Sequence, residues 1–171
     1  MRGPSAPAFV VEPLGDHERS GFSCGNPELD RYFQLQARQD ASRKVAAPFV
    51  MVDDERRVVG CYTLSSYGVK LSELPAEIAR KLPKYPLLPA SLLGRFAISR
   101  EHQGQRLGRL LLMDALFRSW KNSAEIASVG VVAEAIDESA RKFYLHYEFL
   151  PVAEDPRKVF LAMKTIERSF R

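Results

Sequence analysis

The segment His102-Gln103-Gly104-Gln105-Arg106-Leu107-Gly108-Arg109 constrains this chain more than any other. An apolar run, Leu92-Leu93-Gly94-Arg95-Phe96-Ala97-Ile98, precedes it, and another, Leu110-Leu111-Leu112-Met113, follows. The order reads as a strand passing through a glycine-bearing turn into a helix. Such a turn suits a phosphate, because glycine lets the backbone approach the ligand and the N–H groups of the first helical turn have no partner within the helix. A helix start favours acidic residues, since the macrodipole places partial positive charge there. Here Arg106 and Arg109 are present and no acid stands between His102 and Arg109. Two cations at the positive end of a dipole imply a bound anion. The Gly-Lys-Ser/Thr ending of a nucleotide P-loop is missing, and the polar flanks of Gly104-x-x-x-Gly108 exclude membrane-helix pairing.

The 171 residues fit one domain, 1–171, with a real core. No apolar run approaches the roughly 18 residues of a membrane span, and the start, Met1 to Pro7, lacks the apolar stretch of a signal peptide. Cys24 and Cys61 make no disulfide framework and no metal-ligand spacing, and His17, His102 and His146 are scattered. The expectation is a cytoplasmic protein with no membrane attachment and no metal. A net charge of +4 and a pI near 9.2 are compatible with a polyanionic cofactor or a nucleic acid.

Residues 1–8 read as a loose arm. Asn26-Pro27-Glu28 is a helix start, with Asn as cap and Pro at the first position. Leu29, Tyr32, Phe33, Gln36, Ala37 and Ala41 trace one helical face to about Arg43. Phe49–Val52, a charged turn at Asp53–Arg56 and Val58–Leu64 predict a β-hairpin. A short helix is expected within Leu74–Leu82, and Pro83–Pro89 reads as a stiff connector whose prolines forbid regular pairing. A strand over Leu92–Ile98 leads to a helix from Leu107 to about Lys121, with Leu107, Leu110, Leu111, Asp114, Phe117 and Arg118 at helical spacing. A strand at Val129–Ala133, a helix capped by Asp137 over Glu138–Tyr147, and strands at Phe149–Val152 and Val159–Met163 complete a mixed α/β (α+β) order. Its front half is antiparallel and its back half is β-α-β-α-β.

These residues resemble the GNAT acetyltransferases, in which a strand leads through Arg/Gln-x-x-Gly-x-Gly/Ala into a helix. The matching positions are Gln103, Arg106 and Gly108, with Arg106 standing at the usual glycine. Arginine does not share glycine's tolerance of positive φ, and a right-handed conformation at the helix start would avoid the conflict. A second element matches the family's ending: Ala133, Asp137-Glu138-Ser139-Ala140, Phe143-Tyr144 and Phe149, with Glu148 where a glycine is usual. The resemblance implies a mixed central sheet with splayed strands flanked by helices, and acetyl-CoA as cofactor. It places Phe96, Ala97 and Ile98 along the pantetheine and thioester, Gln103, Gly104, Gln105, Arg106, Leu107, Gly108 and Arg109 around the pyrophosphate, and Ser139 and Phe143 beside the cofactor. Tyr144 is implied as the proton donor to the leaving sulfur, although Ala140, Phe143, Tyr144 and Tyr147 also form the apolar stripe of an ordinary core helix.

A narrower resemblance covers most of the chain. Phe22-Ser23-Cys24-Gly25 with Leu29-Asp30, Val59-Gly60-Cys61-Tyr62-Thr63-Leu64, the proline-rich connector and Leu93–Ile98 are similar to the toxin branch of these enzymes. That branch implies acetylation of the α-amine of aminoacyl-tRNA, blocked translation, a ribbon-helix-helix antitoxin as partner, and a homodimer. Arg38, Arg43, Lys44, Lys84 and Arg95, with Lys70, Arg80 and Lys81, are candidates to hold the RNA acceptor, against the plainer reading that each is a solvated surface charge. No acid stands out as a general base. Glu134 is a candidate through a water, against the plainer reading that it ends a strand. An α-amine titrates near about 8, against about 10.4 for a lysine, so it needs a dedicated base less. Two alternatives stay open: an enzyme acetylating a small-molecule or protein amine, and a CoA- or antitoxin-binding module without turnover.

Overall fold

The computed structural model describes residues 8–171; all but the last residue of the expected N-terminal arm lie outside the described residues. The strands form one seven-stranded sheet in the order β1-β2-β3-β4-β5-β7-β6. They are β1 (Val10–Pro13), β2 (Ala47–Val52), β3 (Val58–Val69), β4 (Leu88–Ile98), β5 (Gly130–Glu134), β6 (Leu150–Val152) and β7 (Asp155–Ala162). The helices are α1 (Pro27–Arg31), α2 (Ala37–Ser42), α3 (Ala76–Ala79), α4 (Leu107–Asn122), α5 (Glu138–His146) and α6 (Met163–Arg168). The ladder of β4 with β5 is parallel, whereas β1–β2, β2–β3, β5–β7 and β6–β7 are antiparallel. Two compact units share the sheet strands: Met1–Leu64 with Arg95–Ala115, and Ser65–Gly94 with Leu116–Arg171.

In the first unit Asn26 caps α1 as its sequence predicts, its side chain accepting from the Leu29 N–H at 3.0 Å. The expected single helix to Arg43 is interrupted by a π-helical turn, Tyr32–Gln36. The extra residue in that turn shifts the buried face, so Tyr32, Phe33 and Ala37 point inward while Gln36 is exposed. These residues pack with Phe22, Leu29, Val50, Val52, Cys61 and Ala97. The hairpin turn forms around Asp53, whose carboxylate accepts from the N–H groups of Glu55 and Arg57 and from Arg57 Nε.

In the second unit β3 runs on to Val69, beyond the predicted Leu64, and packs with Leu74, Leu88, Ala90, Val132, Val152 and Phe160. The connector does not stay irregular to Pro89, because β4 already begins at Leu88. Proline lacks a donor but keeps its acceptor, and the Pro89 carbonyl takes the Val129 N–H at 2.8 Å. Asp137 caps α5 by accepting from the Ala140 N–H at 2.8 Å. Along α4 the buried stripe is Leu107, Leu111, Leu112, Ala115, Leu116 and Ser119, whereas Leu110 and Phe117 stand 52% and 41% exposed. Spacing alone leaves the phase of a helix undecided when several apolar residues are adjacent.

Candidate active site

The turn between β4 and α4 is built from within the first unit. A 3-10 segment, Arg100–His102, leaves β4, and Gln103 follows it in an extended conformation. The side-chain Nε2 of Gln103 donates to the carbonyls of Cys24 and Ile98 at 2.9 and 3.0 Å. This amide ties the end of β4 to the segment before α1. The Arg100 N–H adds a second tie, donating to the Ser23 carbonyl at 2.7 Å.

Beyond Gln103 the backbone is exposed and twice enters the left-handed region, at Gly104 (φ +85°) and Arg106 (φ +62°). Arg106 does not take the right-handed conformation that would avoid the conflict. Arg106 adopts the backbone of the glycine it stands for, because the turn has to reverse before α4 can begin. Leu107 is buried and anchors the first turn of α4, while Gly104, Gln105, Arg106 and Arg109 lie on the surface and Gly108 is half-buried. A Cβ at Gly104 would meet nothing within 4 Å, so space lies in front of that backbone. The first turn of α4 carries no acid. Its free N–H groups, the dipole and two arginines thus give an exposed cradle for an anion.

The parallel ladder between β4 and β5 covers Ser91–Leu93 against Val131–Ala133. Phe96, Ala97 and Ile98 lie past its end, as expected for strands that splay. Ala97 is buried in the core of the first unit, so its side chain packs while its backbone runs in β4, between β3 and β5 in the strand order.

The second unit holds the α5 residues. Tyr144 is 3% exposed, its ring 5.2 Å from Phe149 and 5.5 Å from Phe143. Burial pushes its phenol well above the ordinary value of 10.0. Phe143 also packs on Tyr147 at 5.0 Å, and Ser139 is exposed one turn earlier. Glu148 ends α5 in the left-handed conformation (φ +72°), and the N–H of Phe149 returns to the Tyr144 carbonyl at 3.2 Å. Glu134 closes β5 opposite Lys158 of β7. Lys158 Nζ donates to Tyr67 Oη at 2.9 Å, and that bond, followed by nearby carboxylates including Glu134, holds its ammonium above the usual lysine range.

The basic residues do not behave alike. Arg38 is paired with Asp16 at 2.9 Å on the surface. Arg43 and Lys44 are exposed at the end of α2, Lys44 with φ +60°. Lys70, Arg80, Lys81 and Lys84 belong to the second unit; of these Arg80 is exposed at the end of α3, and Lys84 is exposed in the connector. Arg95 has φ +42°, and its guanidinium carbon lies 3.9 Å above the Tyr32 ring centroid. Tyr32, which on sequence is one position of a helical face, lies beneath it and donates to Asp40, and the π-helical turn that brings these residues together has no sequence signature. His17 bonds Glu12 and His102 contacts Ser99 Oγ, which gives both local structural partners.

The Acetyltransferase (GNAT) family matches residues 12–149, a span that includes the cradle and both Phe143 and Tyr144. The chain belongs to the GNAT acetyltransferase family. A protein of Mycobacterium tuberculosis named tRNA-acetylating toxin is 34% identical to this acetyltransferase over 164 residues, covering 96% of this chain and 95% of the relative. A solved structure of AtaT complexed with acetyl-methionyl-tRNAfMet superposes with a TM-score of 0.88 at 29% identity, covering 96% of this chain and all of that one. A Tyr-to-Phe mutant of the AtaT toxin, bound to the C-terminus of the antitoxin AtaR and to acetyl-CoA, superposes with a TM-score of 0.81 at 27% identity, covering 95% and 98%. Members of the family use acetyl-CoA, and the exposed, acid-free cradle of this acetyltransferase fits the pyrophosphate of that cofactor. None of its helices, among the described residues, is long and apolar enough to cross a membrane.

Proposed function

We propose that this acetyltransferase acetylates the α-amine of aminoacyl-tRNA and acts as the toxin of a toxin–antitoxin pair. The observation that carries this reading is the similarity to the tRNA-acetylating toxin along 96% of the chain, which takes in both the cradle and the segment before α1. Acetyl-CoA, when bound, supplies an activated acetyl thioester. The backbone from Gly104 to Gly108, with Arg106 and Arg109, holds its pyrophosphate, and Phe96–Ile98 align the thioester with β4. Ser139 and Phe143 flank the cofactor on α5.

The amine nitrogen attacks the carbonyl carbon, a C–N bond forms and the C–S bond breaks. Tyr144 donates its phenolic proton to the departing sulfur, and the proton lost by the amine restores the phenol. Burial keeps Tyr144 protonated at neutral pH, which supports its role as a donor. No side chain is assigned as general base: an α-amine is substantially neutral near pH 8, and Glu134 faces the ammonium of Lys158. Arg43, Lys44, Lys84 and Arg95 supply positive surface for the acceptor RNA, and Arg38 does so once released from Asp16. The partner is an antitoxin of the ribbon-helix-helix class, the site of action is the cytoplasm, and a second copy of the chain completes a homodimer. The half-exposed ring cluster of Phe117, Trp120 and Phe170 in the second unit supports a protein contact of this kind.

Incubation with acetyl-CoA and bulk aminoacyl-tRNA, with mass identification of the product, tests the reading. N-acetylated aminoacyl-tRNA is expected. Acetylation of free amines or protein amines alone overturns the substrate, and no thioester consumption with any amine makes the chain a binding module. Expression is expected to arrest growth unless the antitoxin is co-expressed.

A further inference from the structure

Arg95 differs from Arg38, Arg56 and Arg57 of the first unit in what holds its side chain. Arg38, Arg56 and Arg57 each pair with a carboxylate, whereas no carboxylate lies within ion-pair distance of Arg95 among the described residues, although its side chain is exposed. It is nevertheless held. Its guanidinium lies on the Tyr32 ring at 3.9 Å, and Tyr32 is fixed in turn, its hydroxyl donating to Asp40 Oδ2 at 2.7 Å. Gln36 Nε2 donates to the other Asp40 oxygen at 3.1 Å. Tyr32 and Gln36 are the first and last residues of the π-helical turn, a distortion that often marks functional positions. Arg95 itself carries a strained backbone, φ +42°. Two departures from regular geometry, on different elements, therefore meet at one guanidinium.

We propose that Arg95, held flat on Tyr32, binds a backbone phosphate at the 3′ end of the acceptor RNA; this rests on the RNA-acceptor reading above. A planar guanidinium with one face covered presents its N–H edge to a single anion and matches phosphate with two parallel hydrogen bonds. Its place in the chain selects which phosphate. Arg95 and Ile98 bound the Phe96–Ala97 segment, about 10 Å apart at the rise of a strand. The cofactor cradle is tied to the Ile98 end through Gln103. The Arg95 end faces the other reactant, whose terminal phosphodiester lies one ribose from the ester that carries the α-amine. Arg43 adds positive charge here, since both it and Arg95 help to hold the Asp40 carboxyl below the usual range, after the bonds from Tyr32 and Gln36. Tyr32 and Asp40 are positioning residues: they fix the plane of the guanidinium.

The test compares two acceptors, aminoacyl-tRNA and 3′-aminoacyl-adenosine, which keeps the α-amine and the terminal nucleoside but has no phosphate. For Arg95→Gln the ratio of kcat/KM on aminoacyl-tRNA to that on aminoacyl-adenosine is expected to fall about tenfold, chiefly through KM on the tRNA. Arg95→Lys, which keeps charge but not the fork, is expected to recover part of it, and Tyr32→Phe to lose a smaller part. A ratio unchanged within twofold, whether both activities fall or neither does, overturns the assignment. A binding arm reads Arg95 without turnover: with uncharged tRNA, the slope of log affinity against log salt is expected to lose about 0.7 in Arg95→Gln. An unchanged slope there overturns the assignment by itself. Failure of wild type to acetylate either acceptor removes the substrate reading instead.

Discussion

The side-chain amide of Gln103 donates to the carbonyl of Ile98 at 3.0 Å, so the turn that would hold the cofactor is fastened to the strand that would align its thioester. The same nitrogen fastens Cys24, at 2.9 Å. Gln103→Ala removes both bonds and leaves two carbonyls to water. We expect a rise in the KM for acetyl-CoA of about fivefold, from the roughly 1 kcal/mol of a lost hydrogen bond, with kcat changed less. Gln103→Glu, which cannot donate, should behave the same way. A titration of acetyl-CoA against initial rate checks both.

Tyr144→Phe keeps the buried ring and its contacts with Phe143 and Phe149. The fold and the affinity for acetyl-CoA should persist while turnover falls by about 100-fold, the scale of a lost general acid. Burial raises this phenol above 10.0, so it stays protonated through neutral pH and past its ordinary titration. The wild-type rate should therefore show no alkaline decline from this group below pH 10. A pH–rate profile with a calorimetric binding measurement separates the two effects.

Arg106 and Glu148 both occupy left-handed backbone, at φ +62° and +72°. A side chain there costs about 1 kcal/mol relative to glycine. Glu148→Gly should raise stability by about that amount in a denaturant titration with little change in activity. Arg106→Gly should also stabilise the fold, yet weaken acetyl-CoA binding and flatten its salt dependence, because it removes a cation from the cradle. If Arg106→Gly binds the cofactor as tightly as wild type, Arg106 is no phosphate ligand.

Asp53 gives a pH dependence of stability. Burial alone would raise its carboxyl, but the bonds from Arg57 and Glu55 outweigh it and hold the group below the ordinary 3.8. A carboxyl depressed in the folded state adds stability above its unfolded pKa and loses it as pH falls through the folded value. Asp53→Asn should thus be destabilised at pH 7 by about 1–3 kcal/mol, the scale of a broken buried hydrogen-bond set, and the gap to wild type should close below pH 3.8. Thermal melts from pH 7 down to pH 2.5 measure it.

Much of this architecture is legible in local sequence because its causes are local. Asn26 and Asp137 announce two helices because a cap needs only a side-chain oxygen three residues from the N–H it binds. The cradle is legible for the same reason: glycine, a following apolar run and the absence of acid all act within one turn. The π-helical turn at Tyr32–Gln36 is not legible, since an extra residue in a helix follows from how its two faces pack.

By itself, then, the sequence determined the order of strands and helices, the acid-free glycine turn before α4 and the family ending at Phe143-Tyr144. Tertiary structure alone decided that Arg106 takes a glycine's backbone, that the Gln103 side chain fastens Cys24 and Ile98, and that Arg95 lies on Tyr32. Each of these depends on groups far apart in the chain, Cys24 with Gln103 and Tyr32 with Arg95, whose approach is set by the packing of the core and by no spacing along the sequence.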